Sequence, residues 1–294
     1  TREILGPTDS NESYLFGSDI EYLHQFKFGS CTTGPTIAVG MPGKTVNGAR
    51  RGWVNLYQID PSDGSWSTCD NIPAKNDDQE SWGSNQGWGG SLSNLGDIDK
   101  DGTIEELAIA NSSWEAGTVR IYGGASGALL KSHKTQSGDN LGRFGFSIKA
   151  AGDFNGDGQS EIAISAPEAK VNGKWGAGSI LIFEWSTLDA NDNNTAKPYL
   201  QINGKPESYA NLGVSFIPIK SSSSLHANTL SSFINRPGKK SDDSWGVGSF
   251  HEFALIKLAP VLPTKIEGRS QNARMGSSLI ATTDLDQDSV ADFL

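Results

Sequence analysis

Three short stretches of this chain place oxygen donors at alternate positions. In the first, Asp97, Asp99 and Asp101 are followed by Thr103 and Glu105. In the second, Asp153, Asn155 and Asp157 are followed by Gln159 and Glu161, and in the third, Asp284, Asp286 and Asp288 by Val290 and Asp292. A tight loop with side-chain oxygens at positions 1, 3, 5 and 9, and a backbone carbonyl at 7, turns several hard oxygens onto one point. Ca²⁺ is bound that way, by roughly six to eight oxygens at about 2.3–2.6 Å. An EF-hand would carry Glu at position 12, where this chain has Ala108 and Ile164, and helices rather than apolar strands at its flanks. Asp, Asn and Gly also form plain turns, but three copies in one register favour about three calcium sites. The expected role is structural, each ion pinning two strands against the repulsion of clustered carboxylates.

The charge agrees. The chain of 294 residues has a formal net charge of −10, and the eleven carboxylates of these loops exceed it. Such a chain is not expected to bind nucleic acid, whose phosphates call for Lys and Arg. No apolar stretch nears the ~20 residues of a membrane span, and the chain begins at Thr1 without Met. A soluble, extracellular protein whose signal peptide has been removed or was never included is expected, without membrane insertion.

The elements that position the loops are strands. Apolar runs of five to eight residues, β-branched or aromatic and bounded by Gly, Asn, Asp and Ser, read as all-β. They recur with a period near 65 residues. Units start near 16, 82, 144, 212 and 275, at Phe16-Gly17, Trp82-Gly83, Phe144-Gly145, Leu212-Gly213 and Met275-Gly276. Second strands are expected at 36–42, 106–110 and 161–167, with a degenerate one at 229–234 and an incomplete one at 292–294. Third strands follow Gly52, Gly117, Gly178 and Gly248, and fourth strands lie at 128–135, 198–204 and 263–268. Four strands per unit describe the blade of a β-propeller. Units one and four lack the acidic loop and are expected to be held by packing alone.

Phe144-Gly145, the Asp153–Glu161 loop and Ala166-Pro167 together resemble the FG-GAP repeats of the integrin α-subunit head and of related bacterial secreted proteins. Met41-Pro42 and Ala110-Asn111 stand at the corresponding place in other units. The resemblance implies a calcium-stabilised β-propeller across residues 1–294, with recognition loops on the face opposite the calcium loops. A ring of seven or eight blades is also implied, whereas about five units are present here and the last is incomplete. Further blades, or another chain, are expected to cover the open edges.

Aromatic residues supply the candidate ligand contacts. Trp114, Trp175 and Trp245 each lie three residues before the glycine that opens a third strand, and reuse at one position suits inter-blade packing better than a ligand. Trp82 and Trp88, in a Ser/Gly/Asn-rich segment, are the better ligand candidates, with core or inter-blade packing the alternative for them too. Cys31 and Cys69 are either a disulfide or two buried thiols. Nucleophile elbows, zinc-protease helices and phosphate loops are missing, and the four histidines fall at unrelated places in the repeat. The expected function is therefore a non-catalytic binding or adhesion module for a protein or glycan at the cell surface or in matrix. The alternatives are a secreted polysaccharide lyase or hydrolase on the same scaffold, and a structural segment of a larger surface protein.

Overall fold

The computed structural model describes residues 15–220, except 76–86, 103–104, 115, 154, 192–195, 205 and 207–209, and beyond 220 the backbone of four strands. The first sheet contains β1 (Ile20–Phe26), β2 (Gly34–Met41), β5 (Trp53–Ile59) and β6 (Trp66–Pro73), with a small hairpin of β3 (Thr45–Val46) and β4 (Ala49–Arg50) inserted before β5. The second contains β7 (Ser91–Asn94), β8 (Leu107–Ser112), β9 (Gly117–Tyr122) and β10 (Leu129–Lys134). The third contains β11 (Ile148–Gly152), β12 (Glu161–Ala166), β13 (Ser179–Phe183) and β14 (Leu200–Asn203). The fourth contains β15 (Phe216–Lys220), β16 (Leu230–Arg236), β17 (Ser249–Ile256) and β18 (Ala259–Val261), and β19 (Lys265–Glu267) also pairs with β17. Two single-turn 3-10 helices complete the described elements.

Each sheet is an antiparallel meander in chain order, as the expected strands require. The segment at 229–234, degenerate in sequence, forms the regular strand β16 in register with both neighbours. Every residue of β8, β9, β12 and β13 is buried. Strands covered on both faces have no polar side to show, hence the near-continuous runs of Ile, Val, Leu, Ala and Ser. The outer strands β1, β6, β10 and β14 alternate or are half-exposed.

The chain divides into two compact units. The first holds Thr1–Asp139, Arg143–Ile148 and Leu188–Ala196, and so the first two sheets. Its core draws Leu23, Val54, Leu56 and Ile72 from one sheet and Leu92, Leu107, Ile109 and Tyr122 from the other, around a fully buried Trp88. The second holds Asn140–Gly142, Lys149–Thr187 and Lys197–Leu294, with a core of Ala151, Ala163, Ile180, Ile182, Ile202, Leu212 and Phe216.

One lock recurs three times. Trp88-Gly89 lies on the first sheet: Gly52 and Trp88 form a parallel bridge, and Gly89 (φ +83°) sits against Gly40 and Val54. Phe144-Gly145 takes the same place on the second sheet, with Gly145 (φ +86°) against Ala110 and Val119. Leu212-Gly213 takes it on the third, with Gly178 bridged to Leu212 and Gly213 (φ +94°) against Ser165 and Ile180. These glycines are required twice over, by a backbone that side chains rarely adopt and by lack of room for a Cβ. The lock pair of the second sheet's entering chain is Trp88-Gly89. Trp82-Gly83, the expected start of the second unit, lies outside the described residues.

Candidate metal centres

In a meander the first and third connections lie at one end of a sheet and the second at the other. Both described acidic loops are first connections, joining β7 to β8 and β11 to β12. In the second sheet, carboxylate oxygens of Asp97, Asp99 and Glu106 lie within 4.8 Å of one another. The loop holds them with its own amides. Gly102 N donates to Asp97 Oδ2 at 3.2 Å, Asp101 N to Asp99 Oδ1 at 3.0 Å, and Ile98 N to Glu106 Oε2 at 2.8 Å. In the third sheet, oxygens of Asp153, Asp157 and Glu161 form the matching group. Gly156 N and Gly158 N donate to the two oxygens of Asp153 at 2.7 and 2.9 Å, and Gln159 N to Asp157 Oδ1 at 2.7 Å. Asn155 steadies the loop, its Oδ1 accepting from Asp157 N at 2.8 Å and its Nδ2 donating to Glu184 Oε1 at 3.1 Å.

Glu105 is not a member of the first group. Its carboxylate turns to His24 of β1, accepting from the His24 amide and facing His24 Nδ1 at 2.9 Å. Burial alone would raise the Glu105 pKa, but hydrogen bonds from Asn94 and His24 outweigh it and hold the group below the usual range. The ninth-position expectation fails because this loop is one residue longer than its partner. Matching the strands, Glu106-Leu-Ala-Ile-Ala to Glu161-Ile-Ala-Ile-Ser, puts Glu106 opposite Glu161, and both are fully buried where their strands begin. Asp101 is exposed and lies outside the group. Thr103 and the whole third loop (Asp284, Asp286, Asp288, Val290 and Asp292) lie outside the described residues.

The electrostatics suit a cation. Burial pushes Glu106 up to about 7, and the charge of Asp99 adds to it. Burial likewise raises Asp99, with Asp101 and Asp97 contributing. Carboxylates forced together at this cost are relaxed by a divalent ion, and an all-oxygen, all-carboxylate set is the chemistry that a hard ion such as Ca²⁺ selects.

The first sheet lacks such a loop but is not held by packing alone. Its first connection is tied by the Cys31–Cys69 disulfide to β6, and Asp70 Oδ2 accepts from Ser30 N at 2.7 Å. A covalent bridge thus stands where the next two sheets carry acidic groups.

The described tryptophans divide between core and surface. Trp88, offered as a ligand contact, is a core residue whose Nε1 donates to Ile72 O at 3.1 Å, with the Arg120 guanidinium 4.9 Å from its ring centroid. Trp114 and Trp175, candidate contacts for which packing is the simpler reading, are 55% and 41% exposed. Their common place before the third strand is a surface loop in each sheet, a fact that spacing could not supply. Trp82 and Trp245 lie outside the described residues.

The FG-GAP repeat model matches residues 144–183, the stretch from the lock glycine through the acidic loop to the end of β13. Those residues are an FG-GAP repeat. No curated protein matches the sequence. Among solved structures, two rhamnogalacturonan lyases, YesW and the exotype YesX, are each similar at 12% identity and a TM-score of 0.40 over 92% of this chain. The chain spans 57% of the first and 55% of the second. Among the described residues no helix is long and apolar enough to cross a membrane.

Proposed function

We propose that this chain is a calcium-stabilised segment of an extracellular β-propeller that serves as a binding or adhesion module. The observation that carries this reading is the recurrence of one all-oxygen group at one connection of two successive sheets. Asp97, Asp99 and Glu106 would hold one ion, and Asp153, Asp157 and Glu161 another. Each ion would neutralise carboxylates that otherwise repel and would tie the first strand of a sheet to the second. The disulfide supports an oxidising compartment. The metal ends of the sheets leave the opposite ends, with Trp114 and Trp175, free for a protein or glycan partner. The ions are structural in this reading, and the module is not an enzyme.

The test is thermal unfolding of the whole chain with calcium and with excess chelator, alongside native mass. Ligand at about 100 times its dissociation constant stabilises by roughly 2.7 kcal/mol per site. A raised midpoint with two or three bound ions supports the reading. An unchanged midpoint and a bare native mass would sink it.

A further inference from the structure

We propose that the hairpin joining β12 to β13 is a binding site for an acidic polysaccharide, a chain of uronate-type sugars. Trp175 would stack on a sugar ring, and Lys170 and Lys174 would pair with carboxylates. The proposal rests on the binding-module reading and names the ligand class for the end of the sheet opposite the metal loop.

The hairpin is built to hold its shape. Asn172 (φ +47°) and Gly173 (φ +80°) form its tip, and Val171 bridges Lys174. Paired positive φ at Asn-Gly is the tight turn whose twist matches that of flanking strands. Its base is tied by Lys170 N to Asn140 O at 2.8 Å, Gly178 N to Ala169 O at 3.2 Å and Asn211 N to Gly176 O at 2.6 Å. On this frame Lys170 and Lys174 are exposed, and Lys170 Nζ stands 5.3 Å from the centroid of the 41% exposed Trp175 ring. Among the described residues neither lysine forms an ion pair with a carboxylate. A partly exposed indole with the Lys170 ammonium over its ring, and the exposed Lys174 next to it in the chain, suits a ligand with an apolar ring face and negative charges.

A second observation stands apart from the first. The same connection of the first sheet, β2 to β5, carries another Val-Asn-Gly hairpin, Val46-Asn47-Gly48, with φ of +50° and +81° at Asn47 and Gly48. Between Pro42 and Gly52 it bears Lys44, Arg50 and Arg51 and no carboxylate. In a chain of net charge −10, lysines and arginines outnumber carboxylates on this connection in both sheets, with Glu168 the one carboxylate on the β12 to β13 connection. A single-stranded nucleic acid would also use rings and cations. The negative field of the whole chain opposes either polyanion, and the poly-dT arm of the test separates the two.

The test is affinity electrophoresis of the full chain, with calcium, through gels containing polygalacturonate, neutral dextran or poly-dT. Retardation by polygalacturonate alone is expected, weakening with salt. Both W175A and the double variant K170A/K174A should weaken it about tenfold or more. Their melting midpoints should stay at wild type, because all three side chains are exposed. Equal retardation by dextran or poly-dT, or polygalacturonate binding untouched by both variants, would overturn the proposal. So would a lack of polygalacturonate binding by a chain that still shows its calcium-dependent midpoint, and that result would leave the module reading standing. Loss of the calcium response itself would instead count against the module.

Discussion

Neighbouring glutamates, one aimed at the acidic group and one away from it, allow a sharp experiment. Glu106 is fully buried and shares a 4.8 Å group with Asp97 and Asp99, whereas Glu105 contacts the exposed His24. In chelator, E106Q should be close to neutral. Burial and the charge of Asp99 already push this carboxyl up to about 7, so losing its charge relieves repulsion. Gln keeps one oxygen for the Ile98 amide. With calcium at about 100 times its dissociation constant, the site would contribute roughly 2.7 kcal/mol. At about 2–4 °C per kcal/mol, that is roughly 5–10 °C of midpoint. E106Q should remove one such increment and leave that of the Asp153 loop. E105Q should keep the full calcium increment and lower stability equally in both conditions, by about 0–1 kcal/mol, as expected for a polar pair with one partner exposed. The assay is differential scanning calorimetry of each variant with calcium and with chelator. If E105Q abolished the increment and E106Q kept it, the placement of these side chains would be wrong. If both kept it in full, the second sheet would not bind the ion.

Three further outcomes follow from the packing. Removing the disulfide with the pair C31S and C69S, which lie 38 residues apart in sequence, should cost about 2–4 kcal/mol on loop-closure grounds, read as a drop in denaturant midpoint. A Cβ on Gly117 would stand 1.9 Å from the carbonyl oxygen of Phe144, while one on Gly48 meets nothing within 4 Å. G117A should therefore cost about 3 kcal/mol or more, and G48A only about 1–2 kcal/mol for its positive φ, as measured by chemical unfolding. His133 is buried against Phe144, and burial lowers its pKa from 6.5 to about 4 despite the charges of Asp139 and Asp189. The unfolded chain then binds the extra proton. Its contribution is whole above about pH 6.5 and falls away by about 3 kcal/mol as the pH drops to 4. Glu106 works in the opposite sense in chelator, since a raised carboxyl loses stability as the pH climbs through 7. The difference between wild type and H133Q across this range therefore isolates the histidine, and a difference independent of pH would refute the assignment.

The sequence by itself determined the strands, their order and the chemistry of the acidic loops. Period-two and continuous apolar runs specify strands through local pattern, and positive-φ glycines mark where a strand must begin. The Asp-rich turns are legible because their ligands are neighbours in the chain, so spacing along the backbone is nearly spacing in space. Tertiary structure alone decided which of two adjacent glutamates faces the acidic group, because successive residues at a strand end point opposite ways and one inserted residue changes which is inside. It also decided the tryptophans. Trp88 is in the core because the chain entering the second sheet locks onto the first, pressing its indole between Ile72 and Arg120, while Trp114 and Trp175 stay at the surface. Composition marks all three as apolar, and only the path of the chain says which of them the neighbouring sheet covers.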